Sequence, residues 1–280
     1  MIYNFVRNLI KHFFHAKNYR HGGFRNRLRV FGILNGLYMR SLLQGNDVKE
    51  VTYDIFGHRV SSYGYEMLLF LFKEIFINAE YHFESDKPDP RIIDCGANIG
   101  MAVIYFKTLY PDCSIIAFEP NPSTFRLLEK NIGQNGLRNV IAHNIGLANE
   151  EGSIDFYPGS HLGSLTGSIH SSRSDREHML TIETRKLSGF LKDERPDLVK
   201  IDIEGAETEV LKDLDSTGTV NNAHRYSIEY HHRMKHTGSS LSAFLEPFER
   251  NGFEYNINAS YQRSEQFQDI LIILTKESAK

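Results

Sequence analysis

A short run from Arg91 to Asp94 leads directly into Gly96-Ala97-Asn98-Ile99-Gly100, and a helical pattern from Ile99 to Tyr110 follows at once. A strand, a glycine turn and a helix in immediate succession leave few folds open, because a parallel strand must be reached by a crossover. The alternation then repeats. Ser114 to Phe118 reads as a strand, Pro122 to Gln134 as a helix and Val140 to Leu147 as a third strand. After an irregular middle, Asp197 to Ile203 is a strand, Ala206 to Leu214 a helix, Tyr226 to Tyr230 a strand and Leu241 to Asn251 a helix. Phe253 to Asn258 and Asp269 to Leu274 close the pattern as an antiparallel pair, since no helical periodicity joins them. These signals predict an α/β fold, a doubly wound, mostly parallel seven-stranded sheet with an antiparallel final strand.

The linker Glu84-Ser85-Asp86-Lys87-Pro88-Asp89-Pro90 cannot continue a helix, because its two prolines lack the required N–H groups. It divides residues 1–84, an N-terminal helical extension with a short hairpin, from the sheet domain at 85–280. Within the extension, Val51 to Val60 alternates in β fashion around Gly57 and His58, and Tyr65 to Asn78 reads as a helix. From Met1 to Asn46 there are eight basic residues and no acidic one. Phe5, Val6, Leu9, Ile10, Phe13 and Phe14 recur there at the spacing of an amphipathic helix. Such a helix either lies on an anionic membrane surface or docks on its own domain with a solvated basic face. The docked arrangement is preferred here, with peripheral membrane contact as the alternative.

A net charge of −3 argues against a nucleic-acid partner, which would demand a basic footprint. Cys95 and Cys113 are the two cysteines, and a disulfide at Cys95 would tether the glycine loop. Both therefore read as reduced thiols, and the expected compartment is the cytoplasm. No apolar run reaches the ~20 residues that span a bilayer, and no secretory leader is evident.

In an open parallel sheet, ligands bind at the carboxyl ends of the strands. Glycines at 96 and 100 permit a sharp turn and a close backbone approach. Glu119 ends the second strand about twenty residues on, where a carboxylate accepts from the ribose hydroxyls of an adenosine-containing cofactor. The competing role for Glu119 is to satisfy the start of the helix after Pro122. The loop lacks the G-x-G-x-x-G spacing of a dinucleotide site, and no Tyr-x-x-x-Lys occurs. Leu198 to Glu207 places Lys200, Asp202 and Glu204 on one strand face, an expensive arrangement unless they pair or meet a ligand. His231, after Ile228-Glu229-Tyr230, overlooks the same edge as a candidate base, or else is one more surface histidine of the thirteen.

Three segments together, Ile93 to Gly100, Ala117-Phe118-Glu119-Pro120-Asn121-Pro122 and Val199 to Glu207, resemble the FkbM-type methyltransferases. The resemblance spans roughly Arg91 to His231. It implies a class I methyltransferase fold and O-methyl transfer from S-adenosylmethionine to a hydroxyl of a sugar, glycan or related metabolite. It sets Asp94, Gly96, Asn98 and Gly100 around the methionine portion, Glu119 at the ribose and Asn144 near the adenine. Asn121 and Asp202 complete the expected cofactor contacts. Two departures are Leu187-Ser188, where Leu-Asp is usual, and Ile145-Gly146, where a small alanine-type residue is usual.

Asp202, Glu204 and His231 are the candidates for taking the acceptor's proton. No metal is expected, although the same three side chains would suit Mg²⁺ or Mn²⁺ if they converged. A nucleotide-dependent oxidoreductase and a non-catalytic cofactor-binding module are the alternative functions. The polar segment Gly159 to Arg176 is read as a lid over the acceptor or a plain surface loop. Oligomeric state is not legible in the sequence.

Overall fold

A computed structural model describes residues 2–19, 23–45, 47–158, 179–232, 240–259 and 268–276. The chain divides into two compact units, residues 1–82 with 130–136 and residues 83–129 with 137–280. The segment Gly159 to Arg176 lies outside the described residues, as does the stretch after His232 with Arg233, Lys235 and His236.

In the first unit the basic stretch carries two helices where the sequence indicates one, α1 (Ile2–Asn18) and α2 (Phe24–Gln44). Val30, Ile33, Leu34 and Leu37 recur at helical spacing and form the buried face of α2. α1 leans on α2 through His12, whose Nδ1 lies 2.9 Å from Asn35 Oδ1. β1 (Glu50–Ile55) and β2 (His58–Tyr63) form the expected hairpin. Its turn is Phe56-Gly57, one residue earlier than expected, with φ of 54° and 92°. Positive φ at both central residues matches the right-handed twist of the strands. The outer edge of β2 is covered by side-chain amides. Asn131 accepts from Ser61 N–H at 2.7 Å and donates to its carbonyl at 2.9 Å. Asn135 does the same at Arg59, at 2.7 and 2.8 Å. Each amide imitates a neighbouring strand and satisfies an edge that would otherwise invite pairing. The expected helix at 65–78 starts as α3 (Tyr65–Leu71) and widens into a π-helical turn at Phe72–Ile77. Phe56, Phe72 and Phe76 pack there with ring centroids 5.3–6.1 Å apart.

The second unit carries the sheet. Its elements are β3 (Arg91–Cys95), α4 (Met101–Leu109), β4 (Ser114–Phe118), α5 (Pro122–Gln134, within this unit to Glu129) and β5 (Val140–His143). After these come β6 (Gly146–Leu147), β7 (Gly152–Phe156), β8 (Leu180–Arg185), α6 (Leu187–Glu194), β9 (Leu198–Ile201) and α7 (Glu207–Ser216). β10 (Arg225–His232), α8 (Leu241–Arg250), β11 (Phe253–Ala259) and β12 (Gln268–Lys276) complete it. The seven strands run in the order β11-β12-β10-β9-β3-β4-β5, and only β12 opposes its neighbours. This is the class I methyltransferase arrangement that the resemblance implies. Val199, Ile201, Tyr226, Ile228 and Ile272 fill the core because helices cover both faces of the central strands.

Two expectations change. Val140 to Leu147 is two strands, not one. β5 stays in the main sheet, while β6 joins β8 and β7 in a separate three-stranded sheet. The break falls at Asn144, whose side chain donates to the carbonyls of Glu119 and Pro120 at 2.8 and 3.0 Å and draws the chain out of line. The irregular middle also holds α6. Ser188 there donates from N and Oγ to buried Asp213, both at 2.8 Å, tying α6 to α7. The departure from Leu-Asp thus has a structural use. Cys95 and Cys113 are free and buried. No described helix is long and apolar enough to cross a membrane.

Candidate active site

The glycine loop leaves β3 at the middle of the sheet, between β4 and β9, where the strand order reverses. Gly96 has φ +83°, and a Cβ there would sit 1.8 Å from the carbonyl oxygen of Asp202. Glycine is required by the exit of β9 itself, before any ligand is considered. Gly96 and Ala97 both donate to the Phe118 carbonyl, at 2.9 and 2.8 Å. Asn98 occupies the left-handed region at φ 51° and stabilises that turn by accepting from Ile99 N–H at 2.7 Å.

Glu119 links this loop to the next. Its Oε2 accepts from Asn98 N–H at 2.8 Å, and its Oε1 from Asn121 N–H at 2.9 Å and Thr124 Oγ1 at 2.8 Å. A carboxylate offers about four acceptor positions, so these three bonds leave one on Oε2. Asn121 also caps the start of α5 by accepting from Ser123 N–H at 3.0 Å. Asn144 is held against the Glu119 and Pro120 carbonyls, on the same side of the sheet.

Lys200 braces the loop from below. Its Nζ donates to Gly96 O at 2.7 Å and lies 3.1 Å from Asp94 Oδ1 and 3.5 Å from Asp202 Oδ2. Asp94 is fully buried, and its Oδ2 takes no hydrogen bond among the described residues. Asp94 therefore acts on the loop mainly by fixing Lys200.

β9 ends at Ile201, so Asp202 and Glu204 do not share a strand face with Lys200 as the sequence pattern indicates. The chain turns instead, with φ of 55° at Glu204 and 109° at Gly205. That turn brings Glu204 Oε2 to 3.2 Å from His231 Nε2. His231 is buried on β10, with Nδ1 2.9 Å from Glu207 Oε1. Glu207 in turn accepts from Gly205 N–H at 2.9 Å. Asp269 Oδ1 stands 3.8 Å from His231 Nε2. One ligand atom from each of Asp202, Glu204 and His231 lies within 4.8 Å of the others, and Glu229, His231 and Asp269 form a second such set.

A family model, the methyltransferase FkbM domain, matches residues 94–274, the span that carries the glycine loop, Glu119 and the carboxylate–histidine cluster. The chain belongs to the FkbM methyltransferase family. It is 35% identical over 166 residues to Methyltransferase 1 of Beauveria bassiana, covering 52% of this chain and 67% of that one. It is 31% identical over 154 residues to the hexuronic acid methyltransferase AglP of Haloferax volcanii, covering 53% and 59%. It is 30% identical over 145 residues to the 2-O-methyltransferase NoeI of Sinorhizobium fredii, covering 45% and 58%. The chain thus spans less than two thirds of the length of the last two. Family membership displaces the oxidoreductase alternative.

The methyltransferase gathers carboxyl groups at this edge. Asp94, Asp202, Glu204, Glu207, Glu229 and Asp269 surround two cationic side chains, Lys200 and His231. Burial would lower the His231 pKa, but Glu207, Asp202 and Glu229 outweigh it and raise the value to about 9. Glu229 is pushed up to about 8, first by the charge of Asp202 and then by burial. Burial raises Glu119 against the three hydrogen bonds that favour its ionised form. Lys200 stays charged, because Asp94 and Asp202 overcome its burial.

Three of these residues escape a reading of the sequence. Glu229 was detectable, since it lies two before His231 on a strand and shares its face. Glu207 sits inside the quoted motif but one helical turn beyond the candidates. Asp269 had no local signal: it meets His231 only because β12 pairs antiparallel with β10 in that register.

Proposed function

We propose that this methyltransferase moves the methyl group of S-adenosylmethionine to a hydroxyl of a sugar, glycan or related metabolite. The observation that carries the reading is Glu119, a buried carboxylate beside the glycine loop with one acceptor position left on Oε2. A ribose hydroxyl suits that position, and the loop residues Gly96, Asn98 and Gly100 with Asp94 and Lys200 beneath them suit the amino-acid portion. Asn121, Asn144 and Asp202 complete the cradle. When bound, the cofactor supplies an electrophilic methyl carbon on a cationic sulfur, and a carboxylate-rich edge favours such a charge. The sugar acceptor draws support from the name of the Haloferax relative, a hexuronic acid methyltransferase, and transfer to oxygen from that of the Sinorhizobium 2-O-methyltransferase.

The protein's own chemical task is to align the acceptor and receive its proton. Glu207, accepting at His231 Nδ1, selects the tautomer whose Nε2 lone pair takes a proton. Glu204 and Asp202 stand beside that nitrogen and offer the alternative acceptors. Glu119→Ala is expected to weaken S-adenosylhomocysteine binding by ~1.5–3 kcal/mol, the range for a hydrogen bond to a charged group. Unchanged affinity by titration calorimetry removes Glu119 from the ribose. A methyl-transfer assay with sugar acceptors separates an enzyme from a non-catalytic module.

A second reading rests on the convergence of Asp202, Glu204 and His231. A divalent cation held there would lower the pKa of the acceptor hydroxyl. Turnover should then vanish on dialysis against a chelator and return with Mg²⁺ or Mn²⁺. Turnover indifferent to the chelator rules the ion out and leaves the side chains alone as bases.

A further inference from the structure

The strongest feature that methyl transfer does not use is the outward face of α1. At 100° per residue, Tyr3, Val6, Ile10, Phe13 and Phe14 fall on one stripe about 100° wide. All five are exposed, with Ile10, Phe13 and Phe14 at 53%, 56% and 54%. The buried residues of the helix, His12 and Ala16, lie on the other side, toward α2. α1 therefore has two apolar-capable faces, and packing against α2 uses one. An apolar stripe of this size on a soluble surface marks a contact.

Charge identifies the partner. Arg7 and Lys11 border the stripe, Lys17 ends it, and all three are exposed. α2 continues the theme at its start, with exposed Phe24 and Leu28 beside exposed Arg25 and Arg29. No acidic residue occurs before Asp47. We propose that this face of α1, with its basic border, docks on an anionic lipid bilayer surface. The rings and aliphatic side chains enter the acyl boundary, while the Arg and Lys heads reach lipid phosphates. A second copy of the chain fits less well. A symmetric pair would place Arg7 and Lys11 of both copies around one seam, with no carboxylate from this stretch to neutralise them.

The test is co-sedimentation of the full chain with vesicles of phosphatidylcholine, with and without phosphatidylglycerol. Binding is expected only with the anionic lipid, and rising ionic strength should weaken it. Replacing the stripe (Ile10→Ser, Phe13→Ser and Phe14→Ser together) should lower partitioning at least about tenfold with Tm unchanged, since these side chains are already in water. Arg7→Gln with Lys11→Gln should weaken the preference for anionic lipid. Wild-type protein that stays in the supernatant overturns the proposal, as does a stripe variant that binds equally well. So does a marked fall in the variant's Tm, which would mean that the face docks on the protein itself. A wild-type dimer that the stripe variant splits in the ultracentrifuge likewise replaces the membrane with a second copy.

Discussion

His231→Asn is expected to lower turnover ~10²–10⁴-fold, the range for removing a general base, while S-adenosylhomocysteine affinity stays nearly unchanged. Asparagine is chosen because its amide nitrogen can occupy the place of Nδ1 and keep the bond to Glu207, 2.9 Å away in the wild type. What it lacks is Nε2. His231→Ala removes both functions and leaves Glu207 buried without its cation, so it should also cost roughly 3–5 kcal/mol of stability. The pH profile adds an independent check. A base must be neutral to act, and His231 is raised from 6.5 to about 9. In the wild type, kcat/KM for the cofactor should rise with pH toward an inflection near 9. The bound sulfonium should move the kcat inflection lower, because a neighbouring cation disfavours the imidazolium. The asparagine variant should lose this rise. Stability follows the same linkage with a defined sign. The folded pKa lies above the unfolded one, so the stabilisation is complete below about 6.5 and is lost as pH rises through about 9. Glu229, raised from 4.5 to about 8, also withdraws stability as pH rises, over a lower window. The difference between wild type and the asparagine variant reports His231 together with Glu229, because each charge shifts the other's titration. Normal turnover in that variant passes the role to Asp202 or Glu204.

Gly96→Val should be the most damaging single change in the cofactor loop. Its Cβ would lie 1.8 Å from the Asp202 carbonyl and 2.9 Å from the carbon bearing it, both backbone atoms that cannot rotate away. The conformation itself, φ +83°, is costly for a branched side chain. Left-handed backbone at ~1–2 kcal/mol and overpacking at ~1–3 kcal/mol together predict a loss of roughly 2–5 kcal/mol. The urea midpoint should fall accordingly, and S-adenosylhomocysteine binding should be lost with the loop geometry. Gly100→Ala provides the contrast. It shares the left-handed backbone, at φ +85°, but its nearest clash is with Leu128 Cδ1 at 2.7 Å, the end of a side chain that can move. A Gly96 variant as stable as Gly100→Ala would show that the β9 exit does not press on this loop.

The order of strands and helices, the glycine loop and the strand-end carboxylates were legible in the sequence, because each is written in neighbouring residues. Apolar runs of strand length alternate with helical spacing, and Glu119 follows β4 directly. The same locality explains the errors. Val140 to Leu147 has the length and apolar ends of a single strand, and the reach of Asn144 to the Glu119 and Pro120 carbonyls divides it. β8 does alternate, with Ile182 and Thr184 buried, but β6 is two residues long and β7 buries only Phe156, so its partners do not announce a second sheet. Lys200, Asp202 and Glu204 have strand spacing, yet the left-handed turn at Glu204 and Gly205 redirects the last carboxylate. Tertiary structure alone decided the charge of the site. Asp269 reaches His231 through strand pairing across a gap of 38 positions, and that proximity is invisible to any local pattern. The tertiary structure likewise separated the two faces of α1. An amphipathic spacing states that a helix has an apolar side, whereas burial shows which of its apolar residues have found a partner.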